Sequence, residues 1–245
     1  MPRNLRRGIP LAMLAACGGG SAPPPAKPAE PVKPHATRVP VEDGEQEDGV
    51  TFVTKHGRME QAAIQAGLAP HTTELSDCYT TRVGRRRWLG GHVQIHWDIG
   101  ADGTITSVKL LESDLGAWAV EKCLVEVAKS ASFDRPIGGP ADFMIPLDFS
   151  GKGNTHAMDE DEGLKAVGGQ LVKLDACSKT EPAPDDVVVT VYVGPHGKAQ
   201  SVGFSSAKTE ITEKWAECAE KAAMAWRLPD PHGVVAKLAI RYRPR

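Results

Sequence analysis

Two histidines, His92 and His96, are the residues whose type points most directly to metal chemistry. Imidazole is a common ligand for zinc and other first-row metals. Apolar and polar residues alternate from His92 to Ile99, which predicts a β-strand. Four residues of a strand span about 13 Å, so the two rings lie too far apart to share one ion. We therefore interpret both histidines as residues of a polar sheet face, and we predict no metal site.

Two aspartates nearby, Asp98 and Asp102, raise the question of calcium binding or acid–base catalysis. They flank the sequence Gly-Ala-Asp-Gly, which predicts a tight turn between two strands. Carboxylates in this setting usually stabilise the turn. The sequence also lacks a GxSxG nucleophile elbow, an HExxH zinc motif and a phosphate-binding glycine loop. We predict no catalytic residue and no cofactor; an enzyme without a recognisable motif is the alternative.

Five cysteines fall into an uneven pattern along the chain. Cys17 stands alone, and two pairs follow, Cys78 with Cys123 and Cys177 with Cys218. Their spacings are too wide for a CxxC-type zinc site. If the chain is exported, each pair is expected to form a disulfide, contributing about 4 kcal/mol to stability in the chain-entropy model. Reduced, buried thiols are the alternative.

The elements that would position these residues occur twice. Residues 91–123 have the pattern strand, turn, strand, loop and helix, and residues 186–218 repeat it. With a helix before and a strand after, each copy has the order helix, strand, strand, helix, strand. This order predicts an α+β fold with a small antiparallel sheet in each copy. We expect two tandem domains, the first repeat (58–150) and the second repeat (160–245), joined by a polar linker over 151–159.

The first sixteen residues have the features of an export signal. Three arginines precede a short apolar segment that ends in Leu14-Ala15-Ala16-Cys17. These four residues resemble the lipobox of bacterial lipoproteins, which implies cleavage before Cys17 and lipidation of that cysteine. Gly18 stands where inner-membrane lipoproteins often carry aspartate, so the resemblance implies an outer-membrane anchor facing the periplasm, with surface exposure as a variant. An ordinary secretory signal and an unprocessed cytosolic start are the alternatives.

Residues 17–57 are rich in proline, glycine, alanine and charge. This composition cannot bury a core, so we predict a disordered tether. The whole chain carries a formal charge of −2, and the part after residue 16 is more acidic because the leader holds three arginines and no acid. A chain with this balance has no overall basic field, and we predict no nucleic-acid partner.

One basic segment interrupts this acidic chain. It lies in the loop before the first strand and contains four arginines, Arg82, Arg85, Arg86 and Arg87. Such a loop can bind lipid headgroups or acidic glycan, including peptidoglycan, although short basic loops are more often simply solvated.

Several motifs together resemble the AgmX/PglI C-terminal domain family, which is similar to the TonB C-terminal domain. They are Cys78-Tyr79, a glycine before a strand, the Ile99-Gly-x-Asp-Gly103 turn, a cysteine on the next helix, and Phe133-x-x-Pro136. The family is known from myxobacterial gliding-motility proteins. The resemblance covers residues 58–150 well and 160–245 more loosely. It implies envelope binding modules without catalytic residues. Energy transduction is not expected. A TonB transducer carries a transmembrane helix near its start, whereas the apolar segment in this leader is too short to span a bilayer.

These observations predict a non-catalytic envelope lipoprotein that docks partner proteins in a motility, secretion or transport assembly. A partner is expected to add a strand to an open sheet edge. The last strand of either repeat, 143–149 or 234–242, is the expected edge. The alternative is a passive structural lipoprotein that contacts peptidoglycan or anionic lipid through the arginines.

Overall fold

A computed structural model of the protein describes residues 36–38, 51–52, 57–179 and 181–244. Four strands form the first sheet: β2 (Thr51–Phe52), β3 (Gly91–Ile99), β4 (Ile105–Ser113) and β5 (Ala141–Phe149). They lie in the order β2-β5-β3-β4, and all neighbours are antiparallel. Three helices accompany them: α1 (Gln61–Leu68), α2 (Thr72–Val83) and α3 (Trp118–Ser130).

The second sheet is built on the same plan. It contains β1 (Ala36–Arg38), β6 (Thr155–Ala157), β7 (Val187–Gly194), β8 (Lys198–Ser205) and β9 (Val235–Tyr242). The order is β1-β9-β7-β8, and β6 pairs with β9 in parallel. Its helices are α4 (Glu160–Gly168), α5 (Val172–Cys177) and α6 (Glu213–Met224). The predicted α+β class is confirmed. The first sheet is antiparallel, whereas the parallel strand β6 makes the second sheet mixed and not purely antiparallel as predicted, and two helices precede the strands of each repeat where one was predicted.

Alternation of side chains decides which residues of the central strands β3 and β7 face the helices. Val93, Ile95, Trp97 and Ile99 are each at most 1% exposed and face the helices, whereas the polar residues between them face away. The indole nitrogen of Trp97 donates a hydrogen bond to the carbonyl of Ala128 on α3, 3.0 Å away. Four fully buried valines on β7 play the same role in the second repeat: Val187, Val189, Val191 and Val193.

Parts of the predicted tether and linker take part in the sheets. Ala36–Arg38 pairs with β9 and Thr51–Phe52 pairs with β5, although both segments fall within the predicted disordered tether. The rest of that tether, up to residue 56, lies outside the described residues. In the predicted linker, β6 joins the second sheet and Met158 is buried in the second core.

Both predicted cysteine pairs are at disulfide distance. The sulfur atoms of Cys78 and Cys123 are 2.05 Å apart and link α2 to α3; those of Cys177 and Cys218 are 1.99 Å apart and link α5 to α6. The first pair is buried, since Cys78 is 1% and Cys123 is 8% exposed. In the second pair, Cys177 is buried but Cys218 is exposed on the outer side of α6.

We expect the Cys177–Cys218 disulfide to be reduced first when the folded protein is treated with a mild reductant. Exchange requires a thiolate to reach a sulfur atom, and only the second pair presents one at the surface. Timed alkylation followed by peptide mass spectrometry would give the order. In denaturant the two disulfides should react at similar rates. Reduction of Cys78–Cys123 before Cys177–Cys218 in the folded protein would contradict the prediction.

Candidate functional site

The arginine loop divides into three exposed side chains and one that is held in place. Arg82 lies in the last turn of α2 and not in the predicted loop; the loop itself begins where α2 ends, at Gly84, whose φ of +56° turns the chain away from the helix. Arg82, Arg85 and Arg87 are exposed, and within the described part of the chain their guanidinium groups form no ion pair. Arg86 is half-buried and donates to the carbonyl of Arg82, 3.1 Å away, and to the hydroxyl of Ser201 on β8, 3.4 Å away.

The two histidines lie on the outward face of the first sheet, each beside an aspartate of β5. Nδ1 of His92 is 2.9 Å from Asp148, and Nε2 of His96 is 3.0 Å from Asp142. This arrangement follows from the register, which places His92 opposite Asp148 and puts Asp142 opposite Asp98, two residues from His96. The two pairs differ in burial: the side chain of His92 is 38% exposed and that of His96 only 11%.

His96, Asp98 and Asp142 form a cluster in which one possible ligand atom of each lies within 4.8 Å of the others. Lys109 from β4 also contacts it, with its Nζ 2.8 Å from Oδ2 of Asp98. The prediction of no metal site rests on the spacing of two histidines in a single strand. It therefore misses Asp142, which reaches the cluster from the neighbouring strand. The alternation of β3 and β5 is the only signal in the sequence that points to this neighbour.

Asp102 has the role predicted for a turn residue. Its Oδ1 accepts hydrogen bonds from the backbone N–H of Thr104 at 3.0 Å and from the Thr104 hydroxyl at 2.6 Å. These two bonds lower the pKa of the fully exposed Asp102 carboxyl. Gly103, which follows it, has a φ of +90° and completes the turn.

The two repeats exchange aromatic side chains. Trp118, at the start of α3 in the first repeat, packs in the second core, where its ring meets that of Phe204 at a centroid distance of 5.9 Å. Tyr192, on β7 of the second repeat, packs in the first core, 4.9 Å from the ring of Trp88. All described residues fall within one compact unit. We call the contact between α3 and β4 on one side and β7 and β8 on the other the seam.

Glu121 lies at the centre of the seam and is fully buried. Its Oε1 accepts a hydrogen bond from the Ser113 hydroxyl at 2.7 Å, and its Oε2 accepts one from the Phe204 N–H at 2.9 Å. Gly203 makes room for it, because a Cβ there would stand 2.4 Å from both carboxylate oxygens. Burial raises the pKa of Glu121 to about 7, although the hydrogen bonds that it accepts act in the opposite direction.

Further polar contacts join the two repeats. Nζ of Lys237 lies 2.8 Å from Asp114 and is almost fully buried. The hydroxyl of Tyr192 donates to the carbonyl of Gly90 at 2.6 Å, and that of Ser201 donates to the carbonyl of Gly116 at 2.7 Å. At the rim, Lys122 and Lys129 of α3 form ion pairs with Glu213 and Glu210. The seam is therefore filled by side chains of both repeats.

No protein-family model matches the chain, and neither a curated protein nor a solved structure is similar to it at a significant level. Among the described helices, none is both long and apolar enough to span a membrane. Cys17, the predicted lipidation site, lies outside the described residues.

The two predicted sheet edges differ in how far they are covered. The outer edge of β9 is paired with β6 at residues 235–237 and with β1 at residues 240–242, so the chain itself occupies it. The prediction that this edge is open is therefore wrong for β9. The outer edge of β5 is paired with β2 only at Phe143 and Met144. Within the described part of the chain, no strand pairs with residues 145–149 on that side.

We predict that replacing Glu121 with Gln removes a pH-dependent loss of stability. Because the pKa of Glu121 is about 7 in the folded chain and near 4.5 when unfolded, the wild type should lose stability as pH rises through this window. Above pH 7 the loss should level off, at a value of about 3 kcal/mol. A Gln fits the site, since its amide can donate to Ser113 and accept from Phe204. Urea unfolding at pH 5, 6, 7 and 8 measures the difference between the two proteins.

Glu126→Gln is the matched control, because Glu126 is an exposed residue of the same helix. It should leave the pH profile of stability unchanged. A constant difference between wild type and Glu121→Gln at every pH would show that Glu121 does not titrate in this range.

Proposed function

We propose that this chain is a non-catalytic lipoprotein of the bacterial cell envelope, anchored through Cys17, whose first repeat docks a partner protein. The resemblance of residues 58–150 to the AgmX/PglI and TonB C-terminal domains supports a role in a motility, secretion or transport assembly. The single observation that carries the docking function is the outer edge of β5 between Ile145 and Phe149.

Within the described part of the chain, this edge combines unpaired backbone with apolar side chains. Ile145, Leu147 and Phe149 alternate along it on the core side of the sheet, where they pair in register with Ile95, Val93 and Gly91. Each of the three is only half-buried, because no further strand covers it within the described chain. A partner segment in extended conformation would continue the sheet and cover these side chains, which is the geometry of β-augmentation.

Pro146 limits the length of such pairing. Proline has no backbone N–H, and within sheets it is found at edges, where the missing donor faces outward. A proline on an edge strand also discourages uncontrolled pairing between sheets. We therefore propose a short docked segment, held by the apolar side chains as much as by backbone hydrogen bonds.

The second repeat supports the first in this proposal. Its outer strand β9 is already paired with β1 and β6, so an incoming strand would have to displace part of the chain. The buried seam holds the two repeats together through Glu121 and the exchanged aromatic residues. The disulfides stabilise both repeats in the oxidising envelope.

Replacing Leu147 with Lys should reduce recovery of the partner about tenfold, because a charge at the centre of a docked apolar strand is poorly solvated. The measurement is a crosslinked pull-down from envelope extract, using the oxidised full chain with Cys17→Ser to remove lipidation. The partner is identified as the protein that the chain with an unaltered Leu147 recovers in stoichiometric amount.

Val172→Lys is the matched control for this experiment. Val172 is an apolar residue of α5 in the second repeat and is 65% exposed, so a lysine there should be tolerated. Equal recovery by wild type, Leu147→Lys and Val172→Lys would remove the β5 edge as the docking surface. Circular dichroism of all three proteins serves to check that each variant is folded.

The exposed arginines favour a second candidate function, a structural lipoprotein that contacts an anionic surface. Arg82, Arg85 and Arg87 are exposed and form no ion pair with the described residues, and Arg86 links this segment to β8. Clustered cations of this kind bind anionic lipid or peptidoglycan through Coulomb attraction, which salt screens.

Changing Arg82, Arg85 and Arg87 together to Gln should reduce retention on anionic vesicles or on isolated sacculi at least tenfold at low salt, since each cation near such a surface contributes about 1 kcal/mol. Cosedimentation at low and high ionic strength measures this. The control changes Arg58, Arg135 and Arg227, three exposed arginines outside the loop, to Gln. If both triple variants lose retention equally, the binding reflects net charge and not the loop.

A further inference from the structure

The polar face of the first sheet contains a histidine with one buried ring nitrogen that no described residue hydrogen-bonds. Nε2 of His96 lies 3.0 Å from Oδ2 of Asp142, so its N–H donates a hydrogen bond to that carboxylate. In the neutral ring, the other nitrogen, Nδ1, is then an acceptor. Nδ1 is buried and has no hydrogen-bond partner among the residues that the structure describes.

The nearest acidic group to this nitrogen is Asp98. Its Oδ2 lies 3.9 Å from Nδ1 of His96, too far for a hydrogen bond. Two acceptors that face each other across this distance repel, and a cation between them would replace the repulsion with two favourable contacts. His96 and Asp98 stand two residues apart on β3 and project to the same side, so the sheet itself fixes their separation.

We propose that Nδ1 of His96 and the carboxylate of Asp98 bind a divalent transition-metal ion of the zinc class. Zinc binds imidazole nitrogen and carboxylate oxygen at about 2.0–2.2 Å, which places neighbouring tetrahedral ligands about 3.4 Å apart. Nδ1 of His96 and Oδ2 of Asp98, which are 3.9 Å apart, would therefore need to approach each other by about half an ångström. Solvent water completes the coordination, since the Asp98 side chain is 34% exposed.

Asp142 supports this site from the opposite side of the ring. Metal-binding histidines commonly donate their second N–H to a carboxylate, which fixes the tautomer and the ring orientation. Asp142 occupies that position, and its side chain is only 17% exposed. A mixed nitrogen and oxygen site with imidazole suits zinc better than calcium or magnesium, which prefer oxygen ligands alone.

Lys109 competes with the ion for Asp98. Its Nζ lies 2.8 Å from the same Oδ2 atom, and its side chain is 23% exposed, so it can move into solvent when an ion binds. Removing this ammonium group should strengthen metal binding. A purely structural His–Asp–Lys network predicts no such gain, and Lys109→Met therefore separates the two interpretations.

The test is titration of the oxidised full chain carrying Cys17→Ser, which removes the lone thiol as a zinc ligand. After treatment with EDTA, the protein is titrated with zinc by calorimetry and with cobalt(II) by visible absorption, which reports the coordination. We expect one ion per chain. His96→Gln and Asp98→Asn should each weaken binding at least tenfold, and Lys109→Met should tighten it several-fold.

His92→Gln is the matched control. His92 lies on the same face of the same strand, 2.9 Å from its own aspartate, Asp148, but it belongs to no three-residue cluster in the described part of the chain. It should bind the ion as the wild type does. Absence of saturable binding at millimolar zinc, equal weakening by His92→Gln and His96→Gln, or no gain in Lys109→Met would overturn the proposal. If His96→Gln does not fold, Asp98→Asn and Lys109→Met decide it.

Discussion

The buried carboxylate of Glu121 is the interaction on which the arrangement of the two repeats depends. An ionisable group is expensive to remove from water unless hydrogen bonds replace the lost solvation. Ser113 supplies one of these bonds from the first repeat, and Phe204 supplies another from the second. Glu121 therefore fixes α3 against β8. With α3 in this position, Trp118 reaches the second core, and Tyr192 reaches the first core from the other side of the seam.

Local patterns were sufficient to predict the long strands of each repeat and the cysteine pairs. The alternation of Val93, Ile95 and Trp97 leaves one orientation in which the apolar side chains face a core, and β3 has that orientation. The same holds for the valines of β7. Each pair of cysteines lies on helices that pack on the same sheet, so their pairing follows from the order of elements within one repeat. These features depend on residues that are close in sequence or belong to one repeat.

The seam was not predicted because it depends on contacts between the repeats. Two signals of it are nevertheless present in the sequence. Glu121 stands three residues after Trp118 and three before Leu124, within the apolar stripe of α3 and not on its polar face. Gly203 lies within β8, and a glycine inside a strand often marks a close approach by another group. Asp142 was missed for a related reason. Its contact with His96 is determined by the pairing of β3 with β5 and not by sequence spacing.

The pairing of β1 with β9 has a mechanical consequence. Three residue pairs, between 36–38 and 240–242, join the segment before the folded repeats to the last strand of the chain. A pulling force applied upstream of Ala36 would reach this short contact before it reached either core or either disulfide. Three pairs form a weak link compared with the long ladders of β7 with β8 and β9. Tension would separate β1 from β9 first. This would lengthen the segment that precedes the repeats and expose an edge of β9 that β1 otherwise covers.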